Sequence, residues 1–124
     1  MRMMLVGAGA VGESIVKVMQ WRDPKGMWLE YVLVCDYDKS RAQEVVDKLH
    51  GDARFEAEKV NATDREDMKN LIRSHKIDFV MDAAPPFASN MIFDAAFATG
   101  VNYGSMGTWS VPMDEPKLGL GIEN

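Results

Sequence analysis

MMLVGAGAVG, residues 3–12, is the stretch that decides the fold of this chain. Its first four residues form an apolar run of the length of a buried strand, and three glycines spaced G-x-G-x-x-G follow at once. Apolar side chains then recur at helical spacing, which predicts a helix from about Ala10 to Trp21. The side chains expected on its apolar face are Val11, Ile15, Val18 and Met19. The stretch therefore predicts a strand, a tight turn and a helix in immediate succession.

The rest of the chain continues this alternation of short apolar runs and amphipathic stretches. Further strands are expected at 31–35, 55–60, 79–81 and 101–103, with 55–60 near a sheet edge because it carries several charges. Three further helices are expected. The first has Asp38 as its N-cap and ends before Gly51, the second begins at a capping box at 63–66, and the third runs from Phe87 to Gly100. Such alternation is typical of βαβ units. We therefore expect an α/β fold of three layers, with a mainly parallel sheet of about five or six strands and helices on both faces.

The context of the three glycines indicates a dinucleotide-binding unit of the Rossmann type. They follow a predicted strand and open a predicted helix, and Asp36 closes the next strand 24 positions after Gly12. Gly7 permits the tight turn, Gly9 lets the backbone approach a pyrophosphate, and Gly12 lets the helix lie close to the sheet. The alternative, a merely structural turn with Asp36 as a local cap, is disfavoured because every condition of the fingerprint is met.

The same residues indicate how a cofactor would be held. The free N–H groups of the first helical turn, at Ala10 and Val11, would bind the diphosphate, and Asp36 would accept hydrogen bonds from the adenosine ribose. A carboxylate at that place repels a 2′-phosphate, so NAD is favoured over NADP. Lys39 and Arg41 lie near enough in sequence to offset part of this preference. Tyr37, directly after Asp36, is a further expected cofactor contact.

A second candidate segment is Asp82-Ala83-Ala84-Pro85-Pro86, at the carboxyl end of the fourth predicted strand. Ligands of open parallel sheets lie beyond this end of the strands, and small residues there would let a nicotinamide ribose pass close by. An ordinary strand that ends at its prolines explains the same residues equally well.

Composition and charge exclude several function classes. The 124 residues are 47% apolar and 27% charged, with a net charge of −5 and no basic stripe, so nucleic acid is not an expected partner. No window approaches the roughly 20 apolar residues of a membrane span. The single cysteine, Cys35, permits no intramolecular disulfide and favours a cytoplasmic location. No spacing of His, Cys and carboxylates indicates a metal site.

With these segments placed, the chain resembles the N-terminal cofactor domain of the saccharopine dehydrogenase-like family, which includes saccharopine reductases, lysine 6-dehydrogenases and carboxynorspermidine dehydrogenases. The resemblance covers about residues 2–105 and rests on the glycine fingerprint, CDYD at 35–38, DAAPPF at 82–87, and Ala95-Ala96 followed by GVNY at 100–103. It implies an oxidoreductase that transfers hydride between a nicotinamide and the carbon of an amine or imine. It also implies adenine near Asn61 and Ala62, and the nicotinamide half near Ala84 and Pro85.

The chain departs from the family in its length. Family enzymes continue into a substrate-binding domain, so residues 1–105 are expected to form the cofactor domain and 106–124 a connector or tail towards a domain absent from this sequence. The chain is then either a fragment of a longer enzyme, which is favoured, or a natural single-domain derivative. The amino-acid-like substrate would then contact that missing domain, and no catalytic residue is identified in this chain. The cofactor domain could also form a homodimer. The alternative function is a nucleotide-sensing regulatory module without catalysis, similar to the cytosolic domains that gate potassium transport.

Overall fold

The computed structural model describes residues 1–105 of the chain, so the expected connector at 106–124 lies outside the described residues. Strands and helices alternate along the chain. They are β1 (Arg2–Val6), α1 (Ala10–Arg22), β2 (Tyr31–Asp36), α2 (Lys39–Asp47), β3 (Phe55–Lys59), α3 (Arg65–Ser74), β4 (Phe79–Asp82), a 3₁₀ turn (Pro86–Ala88), α4 (Ser89–Thr99) and β5 (Asn102–Ser105).

All five strands are parallel, in the order β3-β2-β1-β4-β5. The prediction of an α/β fold with a parallel sheet is confirmed, and β3 lies at a sheet edge as expected. At the carboxyl end of the central strand, Val6 pairs with Cys35 on one side and with Asp82 on the other. Strands β2 and β3 lie on one side of β1, and strands β4 and β5 lie on the other, so the strand order changes direction at β1. Such a change leaves a crevice beyond the carboxyl ends of the strands.

Two hydrophobic clusters form the core, because successive residues of a strand point to opposite faces of the sheet. Met3 and Leu5 belong to a cluster that includes Val16 of α1 and Val45 of α2. The cluster around Met4 and Val6 contains side chains of the other two helices, namely Met68, Ile72, Ile92, Ala95 and Ala96. These buried contacts fix the direction in which each loop leaves the sheet.

The inward face of α1 differs from the predicted one. Val16 and Gly12 are its buried residues, whereas Val11 and Val18 are each 52% exposed. The helix carries apolar side chains over more of its circumference than one face can bury. Ile15 and Met19 are partly buried against the core as predicted, so sequence spacing identified the helix and half of its predicted inward face.

The capping box predicted at residues 63–66 is wrong. The N-cap of α3 is Asp64, whose carboxylate accepts hydrogen bonds from the backbone N–H groups of Glu66 and Asp67. Thr63 instead donates both its backbone N–H and its hydroxyl to the side-chain oxygen of Asn61. This bonding holds Thr63 in the loop that precedes the helix.

Two further element boundaries also differ from expectation. Phe87 lies in the 3₁₀ turn and is 74% exposed, so it does not belong to the inward face of α4. The left-handed Gly100 ends that helix as expected. By contrast, α2 ends at Asp47 with Lys48 as its C-cap, well before Gly51.

Candidate functional site

The loop between β1 and α1 passes very close to the loop that follows β4. Gly7 has a φ of +108°, and a Cβ placed on it would lie 2.5 Å from the carbonyl oxygen of Ala83. The Gly7 N–H donates to the Cys35 carbonyl at 2.8 Å. Only glycine accepts both this backbone angle and this approach, so Gly7 lets the two loops meet above the carboxyl end of β1.

Gly9 and Gly12 have different surroundings. A Cβ on Gly12 would lie 2.0 Å from the Gly7 carbonyl oxygen, so this glycine lets the first turn of α1 pack against the loop. A Cβ on Gly9 would meet no atom of the described part of the chain within 4 Å. Packing within the described residues therefore explains the glycine at position 12 and leaves open space beside position 9.

The amino end of α1 has no side-chain cap. Gly9 is its N-cap, and its carbonyl accepts a hydrogen bond from the Glu13 N–H. The N–H groups of the first turn have no intrahelical acceptor, and the helix dipole places partial positive charge at this end. An uncapped amino end beside open space is a binding geometry for an anion such as a diphosphate.

Asp36 is the last residue of β2, and its side chain is 13% exposed. One carboxylate oxygen accepts from the Ala8 N–H at 2.9 Å, and the other accepts from the Asp38 N–H at 3.0 Å. Each carboxylate oxygen can accept two hydrogen bonds, so an acceptor position remains on each. These are suited to two adjacent hydroxyls. The nearest cation is Arg41, whose Nε lies 3.9 Å from Asp36 Oδ2.

These loops enclose an open cleft of about 510 Å³, which is in the size range of small-molecule sites. Seven of the residues predicted to contact a cofactor line it: Gly7, Asp36, Tyr37, Asn61, Ala62, Ala84 and Pro85. They come from the loops after β1, β2, β3 and β4, which meet at the carboxyl edge of the sheet. The structure therefore brings these seven residues, which come from four separate loops, together at one site.

The other four predicted contacts, Gly9, Ala10, Val11 and Gly12, do not line this cleft. Ala10 and Val11 contribute instead to an apolar groove of about 620 Å³ between α1 and Met81 of β4. The predicted role of Ala10 and Val11 is played by their backbone N–H groups. That role does not depend on where the two side chains lie.

The cleft also contains residues that sequence reasoning did not place there, namely Val6, Asp38, Val60, Thr63, Phe87 and Ala88. Arg41, considered from sequence only as a nearby cation, is a lining residue as well. Thr63 was assigned to a helix cap and Phe87 to a helix core. The Asn61-Ala62-Thr63 sequence after an edge strand was the available signal for Thr63, and the DAAPPF segment at 82–87 was the available signal for Phe87.

Other residues of chemical interest lie outside the cleft. The Cys35 thiol is buried, and burial raises its pKa well above the usual value, so the thiol is protonated and unreactive. Within residues 1–105, no group of three or more His, Cys, Asp or Glu side chains could hold a metal ion. No helix of the same range is long and apolar enough to cross a membrane.

Residues 3–111 match the family described as the saccharopine dehydrogenase NADP binding domain. The chain belongs to this family. A nicotinamide dinucleotide is therefore the cofactor of the domain. The open space at Gly9, the uncapped helix and the paired acceptors on Asp36 fit its diphosphate and one of its ribose groups.

Comparisons with individual proteins agree with this assignment. The chain is 27% identical to the carboxynorspermidine synthase of Vibrio cholerae serotype O1, and the match covers 83% of this chain and 26% of that enzyme. The fold is similar to that of apo saccharopine dehydrogenase (L-Glu forming) from Saccharomyces cerevisiae, with a TM-score of 0.71, 16% identity, and 88% and 22% of the two chains covered. The chain thus spans about a quarter of the length of these relatives.

Other solved structures share the fold but differ in cofactor. A dTDP-glucose 4,6-dehydratase from Streptomyces venezuelae with NAD bound has a TM-score of 0.60 at 16% identity, covering 82% of this chain and 37% of its own. The leucoanthocyanidin reductase–NADPH complex from Vitis vinifera has a TM-score of 0.61 at 14% identity, covering 83% and 35%. The fold alone therefore does not choose between NAD and NADP. None of these comparisons supports the regulatory-module alternative.

Proposed function

We propose that this chain is the cofactor-binding part of an NAD(P)-dependent oxidoreductase acting on a CH–NH group of an amino-acid-derived substrate. The observation that carries the proposal is the uncapped amino end of α1 at Gly9, with space beside it that no atom of residues 1–105 fills. Membership of the saccharopine dehydrogenase NADP-binding family supports the reaction class. The cofactor itself supplies the hydride chemistry, and the protein positions it.

Each part of the cofactor has a proposed position, either in the cleft or at the adjoining amino end of α1. The diphosphate lies against the backbone of Gly9, Ala10, Val11 and Gly12, where N–H groups point out of the helix. The remaining assignments place the adenosine ribose on Asp36, the adenine near Tyr37, Asn61 and Ala62, and the nicotinamide half towards Ala84 and Pro85. Residues of both ends of this path line the same cleft, which supports one continuous ligand.

We propose that NAD(H) is preferred over NADP(H), because the Asp36 carboxylate would face the 2′-phosphate directly. Arg41 limits this preference, since its guanidinium lies beside the carboxylate and is 57% exposed. The Asp36→Ala variant is expected to weaken NADH binding much more than NADPH binding. Arg41→Ala serves as the matched variant and should weaken NADPH more than NADH. Equal losses for both cofactors in Asp36→Ala would contradict the ribose role.

Further features of the whole protein are proposed on the same basis. The described residues 1–105 contain a five-stranded parallel sheet, which supports 1–105 as the cofactor domain and 106–124 as a connector or tail. The amino-acid-like substrate is expected to bind mainly through a further domain, which would supply the catalytic groups. The buried free thiol of Cys35 suits a reducing cytoplasm, and a homodimer is compatible with the family.

Calorimetric titration of the chain with NADH and with NADPH tests the cofactor assignment. Binding of at least one of them is expected, with release of bound ligand by excess free ADP-ribose. A chain that binds neither cofactor at millimolar concentration would overturn the proposed function.

A further inference from the structure

A buried carboxylate lies at the carboxyl end of β4, behind the wall of the cleft. Asp82 is 1% exposed, and in the sheet it is flanked by Val6 and by Ser105. Its two oxygens accept hydrogen bonds from the Ala84 N–H at 3.0 Å and from the Tyr103 hydroxyl at 2.7 Å. No Lys, Arg or His of residues 1–105 forms an ion pair with it. A buried carboxyl group needs hydrogen-bond partners, and these two bonds supply them.

The other buried carboxylate among the described residues, Asp23, shows what a purely structural arrangement looks like. It accepts hydrogen bonds from the N–H groups of Met27, Trp28 and Leu29, and the Arg54 guanidinium lies 3.9 Å away. Burial favours the neutral acid, but the backbone N–H groups outweigh it and lower the pKa of Asp23. All of these contacts fasten the connection between α1 and β2, which is remote from the cleft.

The hydrogen bonds of Asp82 act on the cleft itself. The Ala83 N–H donates to the Val6 carbonyl at 2.8 Å, and the next N–H, that of Ala84, turns back to the Asp82 carboxylate. This turn directs Ala84 and Pro85 into the cleft wall. Without it, the backbone that follows β4 would be free to take another course away from Gly7.

Tyr103 extends this arrangement to β5 and α4. Its ring packs edge-on against Phe93, with centroids 5.3 Å apart and planes at 86°. Burial, and then the hydrogen bond to Asp82, raises the pKa of Tyr103 to about 12. The hydroxyl therefore remains a donor at neutral pH. The contacts run in sequence from α4 through Tyr103 and Asp82 to the backbone of Ala84.

We propose that Asp82 and Tyr103 are a positioning pair for the dinucleotide, which hold the Ala84-Pro85 wall of the cleft at the distance from Gly7 that the bound cofactor requires. The pair touches no cofactor and acts through the backbone N–H of Ala84. This inference rests on the proposed function, because it concerns the affinity of the same cleft.

The test compares two tyrosines that make the same kind of bond at opposite edges of the sheet. Tyr103→Phe removes the hydroxyl bonded to Asp82, and Tyr31→Phe removes one bonded to Glu56 at 2.5 Å at the amino edge. Dissociation constants for NADH and NADPH are measured by calorimetry at a temperature at which circular dichroism shows each variant fully folded. Tyr103→Phe is expected to weaken binding about 5- to 10-fold, the size of one hydrogen bond, with no change in Tyr31→Phe.

Two substitutions at Asp82 separate hydrogen bonding from general stability. Asp82→Ala should weaken binding at least as much as Tyr103→Phe. Asp82→Asn keeps an oxygen for the Ala84 N–H and an amide that can donate to the tyrosine oxygen, so it should restore affinity to within about 2-fold. Equal effects of Tyr103→Phe and Tyr31→Phe, or an asparagine variant as weak as the alanine one, would overturn the proposal. If Asp82→Ala does not fold, the tyrosine pair decides. Failure of the unsubstituted chain to bind either cofactor would instead count against the proposed function.

Discussion

Among the described residues, four helices begin after strands at the same edge of the sheet. The fourth, α4, continues directly from the 3₁₀ turn, and its N-cap Ala88 makes no side-chain hydrogen bond. Of the other three, only two have amino ends that are closed by side chains. Asp38 caps α2 by accepting from the Ser40 N–H, and Asp64 caps α3 by accepting from two N–H groups. The amino end of α1, at Gly9, has no such cap. A capped end stabilises the fold, whereas an open end leaves its N–H groups and dipole available to a ligand. The difference indicates which of three similar helix ends is the functional one.

Gly12→Ala is expected to have the largest effect, because it disturbs the packing that keeps the open end in place. The added Cβ would meet the Gly7 carbonyl oxygen, so the helix or the loop must move. We expect a loss of about 3 kcal/mol in the free energy of unfolding, in the range of overpacked cores, together with loss of dinucleotide binding. Urea unfolding followed by circular dichroism and a titration with NADH measure the two effects. A stable variant that binds normally would show that the contact has no such role.

Gly9→Asp transfers the cap of α3 to α1 and is expected to separate binding from stability. A Cβ at position 9 meets no protein atom, and an aspartate N-cap changes the free energy of unfolding by only a few tenths of a kcal/mol relative to glycine. The carboxylate would occupy the diphosphate position and would repel the diphosphate itself. NADH binding should therefore fall about 100-fold or more, which corresponds to about 2.7 kcal/mol. Gly9→Ala is the uncharged control and should weaken binding less. Unchanged affinity in Gly9→Asp would remove the open helix end from the site.

Asp64→Ala is the converse change, at a closed end. Loss of this N-cap is expected to cost about 1 kcal/mol of stability. Dinucleotide affinity should stay the same, because the Asp64 side chain does not line the cleft. Urea unfolding and calorimetry on the same sample give both quantities. A large loss of affinity would mean that the capped ends also contribute to the site, and the comparison between the three helices would fail.

The sequence predicts most of this fold because its signals are local. A strand buried on both faces, such as β2, is an unbroken apolar run, and the glycine spacing at residues 7–12 marks one particular turn. The neighbour of each strand is not a local property, so the order β3-β2-β1-β4-β5 emerged only with the structure. The inward face of α1 was predicted only in part: the spacing placed Ile15 and Met19 against the core, but Val11 and Val16 are equally apolar and only tertiary packing buries one of them.

The site residues divide in the same way, into those that a local sequence signal marks and those that only tertiary structure brings together. Gly7 and Asp36 are recognisable because each answers a steric or hydrogen-bonding demand tied to its position in a known motif. Thr63 and Phe87 join the cleft because loops from separate strands converge there. The pairing of Asp82 with Tyr103 depends on the register of β4 against β5, which no sequence period reports. Sequence reasoning therefore finds the parts of a site that obey a motif and misses those that tertiary structure brings together.

The last expected effect is confined to acid pH and concerns the far end of α1, which is closed because the Arg54 guanidinium donates to the carbonyl of the C-cap residue Asp23 at 2.8 Å. Arg54 forms an ion pair with Asp52 at 2.7 Å, and this hydrogen bond lowers the pKa of Asp52 to about 2. A carboxyl group whose pKa is lower in the folded than in the unfolded chain stabilises the fold above its unfolded pKa, and it loses that contribution as the pH falls through the folded value. Stability should therefore decline between about pH 4 and pH 2, and Asp52→Asn should flatten this decline in urea titrations. Cofactor affinity at neutral pH should not change, because the closed end serves only the fold. A variant with an unaltered acid profile would mean that other carboxyl groups account for the pH dependence.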